Sequence, residues 1–223
     1  ASTDIADAFD KVIAPHVVDG HVYYNRIDDK ALDALLVKIG QYAADDENDT
    51  QQALAFYLNA YNALTIKGIK NGGGPHSFFS RRSFFKGDKY RVAGEEISLD
   101  TLEHKIIRPL KEPRIHFALV CAALSCPPLR SEAYRAELLD TQLNDQATVF
   151  INNPEKNNFD IDTNEAAISS IFKWFKEDFI ATGKTLSEYI APFIRDSKTQ
   201  QALATNQLDV KFKKYSWSLN GDR

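Results

Sequence analysis

His116 and Cys126 stand ten residues apart, and Cys126 is followed directly by Pro127 and Pro128. An imidazole base and a thiol from one stretch of backbone are what nucleophilic sulfur chemistry requires, with His104 as a second candidate base. A free thiol titrates near about 8.5, and a nearby imidazolium or helix N-terminus lowers that enough to leave thiolate at neutral pH. Cys126 falls in a turn signal, where exposure is expected. Cys121 falls in an apolar run and reads as a small core residue. Two other readings stay open for the pair. A local disulfide would stiffen residues 125–130 and silence both sulfurs as nucleophiles in that state. A zinc site with His104 and His116 is the other, although the spacing matches no known ligand pattern. No metal or other cofactor is expected.

Polar residues in apolar surroundings supply the candidate binding groups. Asn59 and Asn62 are spaced i, i+3 inside an otherwise apolar segment, so they share one helix face. A buried amide left unmatched costs about 1–3 kcal/mol, so backbone, a side chain or a ligand must face them. An oxyanion or substrate-orienting role is the functional reading, and tying loops to the helix is the structural one. Glu103 precedes His104, and His104 and Arg108 share a face at i, i+4, a group able to bind a carboxylate and shuttle a proton. Arg130, close behind Cys126, can present a guanidinium to an anionic group. Asp178, on a short aromatic stretch with Trp174 and Glu177, either orients a histidine or pairs with an arginine.

The elements that must position these groups read as a mixture of helices and strands. Helical spacing covers residues 3–13, 30–42 and 51–70. The last of these is apolar on nearly every side and therefore central, ending at Gly72, Gly73 and Gly74. Asp19-Gly20 marks a turn between β-prone residues, Gly94 a short hairpin, and Thr163-Asn164 a second hairpin. Asp45, Asp46, Glu47 and Asp49 read as a solvated loop entering the central helix. Residues 71–91 read as a long connection in which Phe78, Phe79, Phe84 and Phe85 pin a basic loop over the core. Ser98 can cap a helix over 99–110. The run from 114 to 122 reads as a buried strand. A long amphipathic helix to about residue 152, a helix over 171–180, two short helices and a strand alternating at Leu208, Val210 and Phe212 complete the chain. Without regular βαβ alternation the class is α+β: a buried central helix packed on a small, mostly antiparallel sheet with surrounding helices.

The 223 residues are 43% hydrophobic and 26% charged, which argues against disorder and a disulfide-dense miniprotein. No apolar run reaches the ~20 residues of a membrane span. A net charge of −4 offers no field for a phosphate backbone, so nucleic acid is not an expected partner. There is no internal repeat and no linker longer than residues 71–75, so residues 1–223 are expected to form one domain.

The order of motifs resembles the domain of unknown function 547 family. The residues that carry it are Asp19-Gly20-His21-Val22-Tyr23-Tyr24, Ala55-Phe56-Tyr57-Leu58-Asn59-Ala60-Tyr61-Asn62-Ala63-Leu64, and Ser98-Leu99-Asp100 with Leu102-Glu103-His104 and Arg108. Pro113-Arg114-Ile115-His116-Phe117-Ala118-Leu119, Ser125-Cys126-Pro127-Pro128-Leu129 and Ile171-Phe172-Lys173-Trp174-Phe175 with Glu177-Asp178-Phe179 complete it, over nearly the whole chain. The resemblance implies an exported, periplasmic protein with a cleaved leader, which fits a chain that starts at Ala1. It implies no substrate. A distant likeness to papain-like and transglutaminase-like folds is countered by Asn59, which stands where such enzymes present a cysteine.

The expected function is therefore a polar cleft that recognises a small-molecule or peptide-like ligand. In its catalytic form Cys126 acts with His116 or His104 as a cysteine-dependent hydrolase or transferase, with Asn59, Asn62, Glu103, Arg108 and Arg130 holding substrate. The alternatives are a non-catalytic binding or scaffold module of the cell envelope and a thiol redox protein.

Overall fold

The computed structural model describes residues 1–43 and 49–223. Asp45, Asp46 and Glu47 lie outside the described residues. Asp49 lies inside them, and its carboxylate accepts from the Gln52 amide at 3.0 Å as the N-cap of the central helix. Helix α1 (Ser2–Ile13), α2 (Asp29–Gln41) and the central α3 (Thr50–Lys70) form the first half of the molecule. Asp28 caps α2 in the same way, accepting from Ala31 at 3.0 Å. The buried side chains of α3 run almost without a break from Leu54 to Ile69, as its all-round apolar pattern requires. Its packing partners include α1, α2 and the helical segment that begins at Ser98. At Gly68 a Cβ would stand 2.6 Å from the Phe84 ring, so only glycine lets that aromatic close over the end of α3.

The strands fall into three small sheets. Hairpin β1 (Val17–Val18) and β2 (His21–Tyr23) turns on Asp19 and Gly20, both at positive φ, and β8 (Gly221–Asp222) adds in parallel to β2. Hairpin β3 (Tyr90–Val92) and β4 (Glu95–Ile97) turns on Ala93 and Gly94. Hairpin β5 (Asn158–Asp160) and β6 (Glu165–Ile168) carries β7 (Asp209–Phe212) in parallel on β6. The α+β class and the three turn signals stand as expected. The β structure differs from expectation in being spread around the helices rather than gathered into one sheet under α3.

Three segments differ from their sequence patterns. Residues 78–87 form a short α4 (Phe78–Arg82) and a π-helical turn rather than a loop. Phe84 is buried there, but Phe78 and Phe79 are 67% and 82% exposed. The helix capped by Ser98 begins as α5 (Leu99–Thr101), continues as a π-helix over Leu102–Ile107, and ends in a 3-10 turn at Pro109. The expected strand over 114–122 is a four-residue helix, α6 (Ile115–Ala118), followed by extended backbone.

The reason lies in α3. Asn62 donates from Nδ2 to the Ala118 carbonyl at 3.0 Å and accepts the Val120 amide on Oδ1 at 3.0 Å. A side-chain amide thus makes the pair of bonds that a neighbouring strand would have made, and an apolar stretch remains outside any sheet. Asn59 does the same one turn earlier, donating to the Tyr134 carbonyl and accepting its amide, both at 2.8 Å.

Helix α6 lies on the seam between two apolar cores. Ile115 and Ala118 belong to the core around α3. Phe117 belongs to a second core with Phe150 of α7 (Leu139–Asn152), Phe172 of α8 (Ser170–Trp174) and Phe179 of α9 (Lys176–Ile180). Two further helices, α10 (Leu186–Ile190) and α11 (Ser197–Ala204), close that second core.

Replacing Asn62 by alanine strands a buried carbonyl and a buried amide, each worth about 1–3 kcal/mol when left unmatched. The expected loss of unfolding free energy in urea is about 3 kcal/mol; a loss under about 1 kcal/mol would mean that the backbone at 118–120 does not depend on this amide.

Candidate functional site

His116, alone among the side chains of α6, turns toward a cavity of about 330 Å³, a size suited to a small ligand. The walls come from widely separated places in the chain, Tyr61 of α3 among them. The segment 78–86 contributes Phe78, Arg81, Arg82, Phe85 and Lys86, and the segment after Ser98 contributes Asp100, Glu103 and His104. The loop 121–127 brings Cys121, Cys126 and Pro127, α8 brings Trp174, and the chain near its C-terminus brings Tyr215 and Trp217. Trp174 and Trp217 lie near-parallel with centroids 5.7 Å apart, and Tyr215 packs 4.7 Å from each. Arg81 lies over the Trp217 ring at 4.5 Å.

Behind this aromatic wall runs a chain of charged groups. Arg108 grips Asp178 with two bonds, Nε to Oδ2 at 2.8 Å and Nη2 to Oδ1 at 3.0 Å, and reaches Glu177 at 2.9 Å. Asp178 in turn accepts from His116 Nε2 at 2.7 Å. These partners, His116 first, hold the Asp178 carboxyl well below the usual range. Burial outweighs the carboxylate at His116 and lowers its pKa. The neutral ring donates from Nε2, so Nδ1 carries a lone pair, and that buried atom has no hydrogen-bond partner among the described residues. Phe175 stacks on the imidazole at 3.9 Å and fixes its plane.

His104 stands on the other side of Arg108. Arg108 can only donate, so the 3.1 Å contact from Nη1 makes His104 Nδ1 an acceptor and leaves the ring proton on Nε2, 3.6 Å from Asp100. Burial lowers its pKa as well. Glu103 carries the opposite shift: burial pushes it up to about 7, with Asp100 and Asp178 adding to the rise and Arg108 opposing it. A carboxyl poised near neutrality at the edge of a cavity is suited to donate and accept protons.

The expected site residues divide accordingly. Glu103, His104, His116 and Cys126 meet in this cavity. Arg108 stands behind it, bonded through Nε, Nη1 and Nη2, and also lines a neighbouring hollow with Glu112 and Pro113. Arg130 is spent on Glu132 and Asp145, at 2.5 and 2.6 Å, and lines a different groove. Asn59 and Asn62 are buried with both amide atoms bonded to backbone, so they hold the fold, and neither lines this cavity.

Cys126 is not a free thiol: it forms a disulfide with Cys121, with the Cα atoms 6.2 Å apart. In that state it offers no nucleophile and the two sulfurs are unavailable to zinc. The pairing follows from the failed strand, because helix α6 and the left-handed Ala122, at φ 64°, fold the backbone back so that the cysteines face each other. Asp178 does both things considered for it, orienting a histidine and pairing with an arginine. Nothing in the sequence marks Tyr61, Tyr215, Trp217 or Arg81 as cavity residues.

The model of the family described as "Protein of unknown function, DUF547" matches residues 46–151, about half of the chain. The chain belongs to this family. The match covers α3, the segment after Ser98, α6, the disulfide loop and most of α7. It stops short of Asp19-Gly20 and of Asp178 and both tryptophans, so it is narrower than the nearly full-length resemblance expected. No curated protein and no solved structure matches the chain.

Glu103 gives the site a pH signature. Its folded value near 7 lies above the ordinary 4.5, so between those limits the native state keeps a proton that the unfolded chain has released. Its favourable contribution is complete below about 4.5 and lost as pH rises through about 7. His116, lowered from 6.5, works in the opposite direction, since stability grows as pH rises toward 6.5. Glu103→Gln removes the first effect and keeps the second. Its melting temperature should therefore gain on the native protein from pH 5 to pH 8; parallel curves would show that Glu103 titrates normally.

Proposed function

We propose that the DUF547 protein binds a small or peptide-like molecule in the aromatic cavity and exchanges a proton with it through Glu103. The observation that carries this reading is the opening of a buried carboxyl, poised near 7, onto a cavity walled by Trp174, Tyr215 and Trp217. Flat apolar walls take up a ligand's hydrophobic face, and a few polar groups set its orientation. Arg81, Arg82 and Lys86 come from one stretch of chain, and Asp100 and Glu103 from another. This division suits a ligand with an anionic group at one end and a donor at the other, as a peptide has. His116, held by Asp178 and stacked on Phe175, backs this wall with a buried ring.

Because both tryptophans line the cavity, intrinsic fluorescence reports on it directly. Anilinonaphthalene sulfonate, an anionic aromatic probe, should bind at one site with energy transfer from the tryptophans and be displaced by N-acetyl dipeptides. Trp217→Ala should weaken it about tenfold. Transfer that is absent, or unchanged in that variant, would place binding elsewhere.

We also propose that the protein works in an oxidising compartment such as the periplasm. The Cys121–Cys126 pairing supports this, since local disulfides persist where thiols are not kept reduced. Acid-quenched cells treated with a thiol-reactive polymer should show both cysteines protected until a reductant is added. Two reactive thiols in the cell would overturn the placement.

A further inference from the structure

The Cys121–Cys126 disulfide lies in the wall of the cavity, and its two sulfurs are not equivalent. Cys126 is 3% exposed, whereas Cys121 is only partly buried. Two donors converge on the Cys126 sulfur, the Tyr215 hydroxyl at 3.0 Å and the Cys121 backbone amide at 3.2 Å. The Cys121 sulfur stands farther from the same hydroxyl, at 3.4 Å. Donors of this kind contribute little to a neutral disulfide sulfur and much more to a thiolate. Burial holds the Tyr215 phenol far above its usual range, so it remains a donor.

The loop is also tied down without its covalent bond. Leu124 and Ser125 donate from their backbone amides to Ser218 and Ser216, at 2.6 and 3.2 Å, and the Lys156 ammonium bonds the Leu124 and Cys126 carbonyls. Opening the disulfide therefore leaves the cavity wall in place.

We propose that Cys121–Cys126 is an exchangeable redox disulfide, opened by the thiol of a small or peptide-like molecule bound in the cavity, with Cys121 the sulfur attacked and Cys126 the leaving thiolate. This rests on the ligand-binding reading and names the substrate class as a thiol. The incoming thiol reacts as its thiolate, its proton passing to solvent water. Its sulfur then bonds to Cys121 Sγ while the Cys121–Cys126 bond breaks. The electron pair of that bond passes to Cys126 Sγ, where the Tyr215 hydroxyl and the Cys121 amide hold the thiolate. A second thiol attacks the substrate sulfur of the mixed disulfide and releases Cys121 as a thiolate. Two substrate thiols are oxidised to one disulfide, the protein gains two electrons, and the protons released by the substrate complete its two thiols. Stabilising the reduced form in this way makes a disulfide the more oxidising partner.

Glutathione and S-methylglutathione separate this proposal from the binding reading. Both present the same peptide, and only the first has a thiol. We expect S-methylglutathione to perturb tryptophan fluorescence saturably and glutathione to open the disulfide of the folded protein at a rate that also saturates. Acid quenching and mass spectrometry should find the mixed disulfide on Cys121 with Cys126 free. Tyr215→Phe, which keeps the ring, should slow opening about tenfold or more. If S-methylglutathione binds but glutathione leaves the disulfide closed, the exchange proposal falls and the binding reading stands. If the adduct forms on Cys126, or Tyr215→Phe opens at the native rate, the assigned roles are wrong. Linear kinetics without binding of S-methylglutathione would overturn both readings.

Discussion

Two side-chain amides one turn apart on a buried helix hold the centre of this molecule together. Asn59 and Asn62 each donate to a carbonyl and accept an amide from chain that crosses α3, at Tyr134 and at Ala118 and Val120. Such backbone needs partners, because a buried amide or carbonyl without one is costly. In most α+β folds a neighbouring strand supplies them. Here a helix does, through asparagines, and the crossing segments can lie against α3 without forming a sheet. The stretch from 115 to 120 is thereby free to begin as a helical turn, to sit between two cores, and to turn its one histidine toward a cavity.

Burial and pairing then work against each other in that cavity. The same exclusion of water raises the pKa of Glu103 and lowers those of His104 and His116. Arg108 is the counterweight: it keeps Asp178 ionised, fixes the ring proton of His104, and stays out of the cavity itself. Around neutral pH the Glu103, His104 and His116 side of the hollow is near-neutral, with the Arg108–Asp178 pair behind it and the charges of Arg81, Arg82, Lys86 and Asp100 on the rest of the wall. This lowers the desolvation cost of an incoming apolar surface and leaves proton-transfer groups within its reach.

The far end of the chain completes the wall. Tyr215 packs against both cores, and residues 216–220 pair with the disulfide loop through a bridge between Ala123 and Leu219 and a bond from the Asn220 amide to the Ala122 carbonyl. Residues about ninety positions away thus determine the surroundings of the two sulfurs. The cavity forms only when both cores are assembled.

What the sequence determined by itself was local. The capping aspartates and Ser98, the Asp19-Gly20 and Gly94 turns, the extent of α1, α2 and α3 and the central position of α3 all follow from near-neighbour chemistry and periodicity. The meeting of Glu103, His104 and His116 was legible too, since those residues lie close along the chain. Tertiary structure alone decided which polar groups face the hollow. An asparagine on an apolar face looks the same whether it meets a ligand or a passing backbone, and an apolar run looks like a strand until its hydrogen-bond partner is known. The tryptophan and tyrosine of the C-terminal segment carry no local sign of their role, because a contact across ninety residues leaves no periodicity in the chain that makes it.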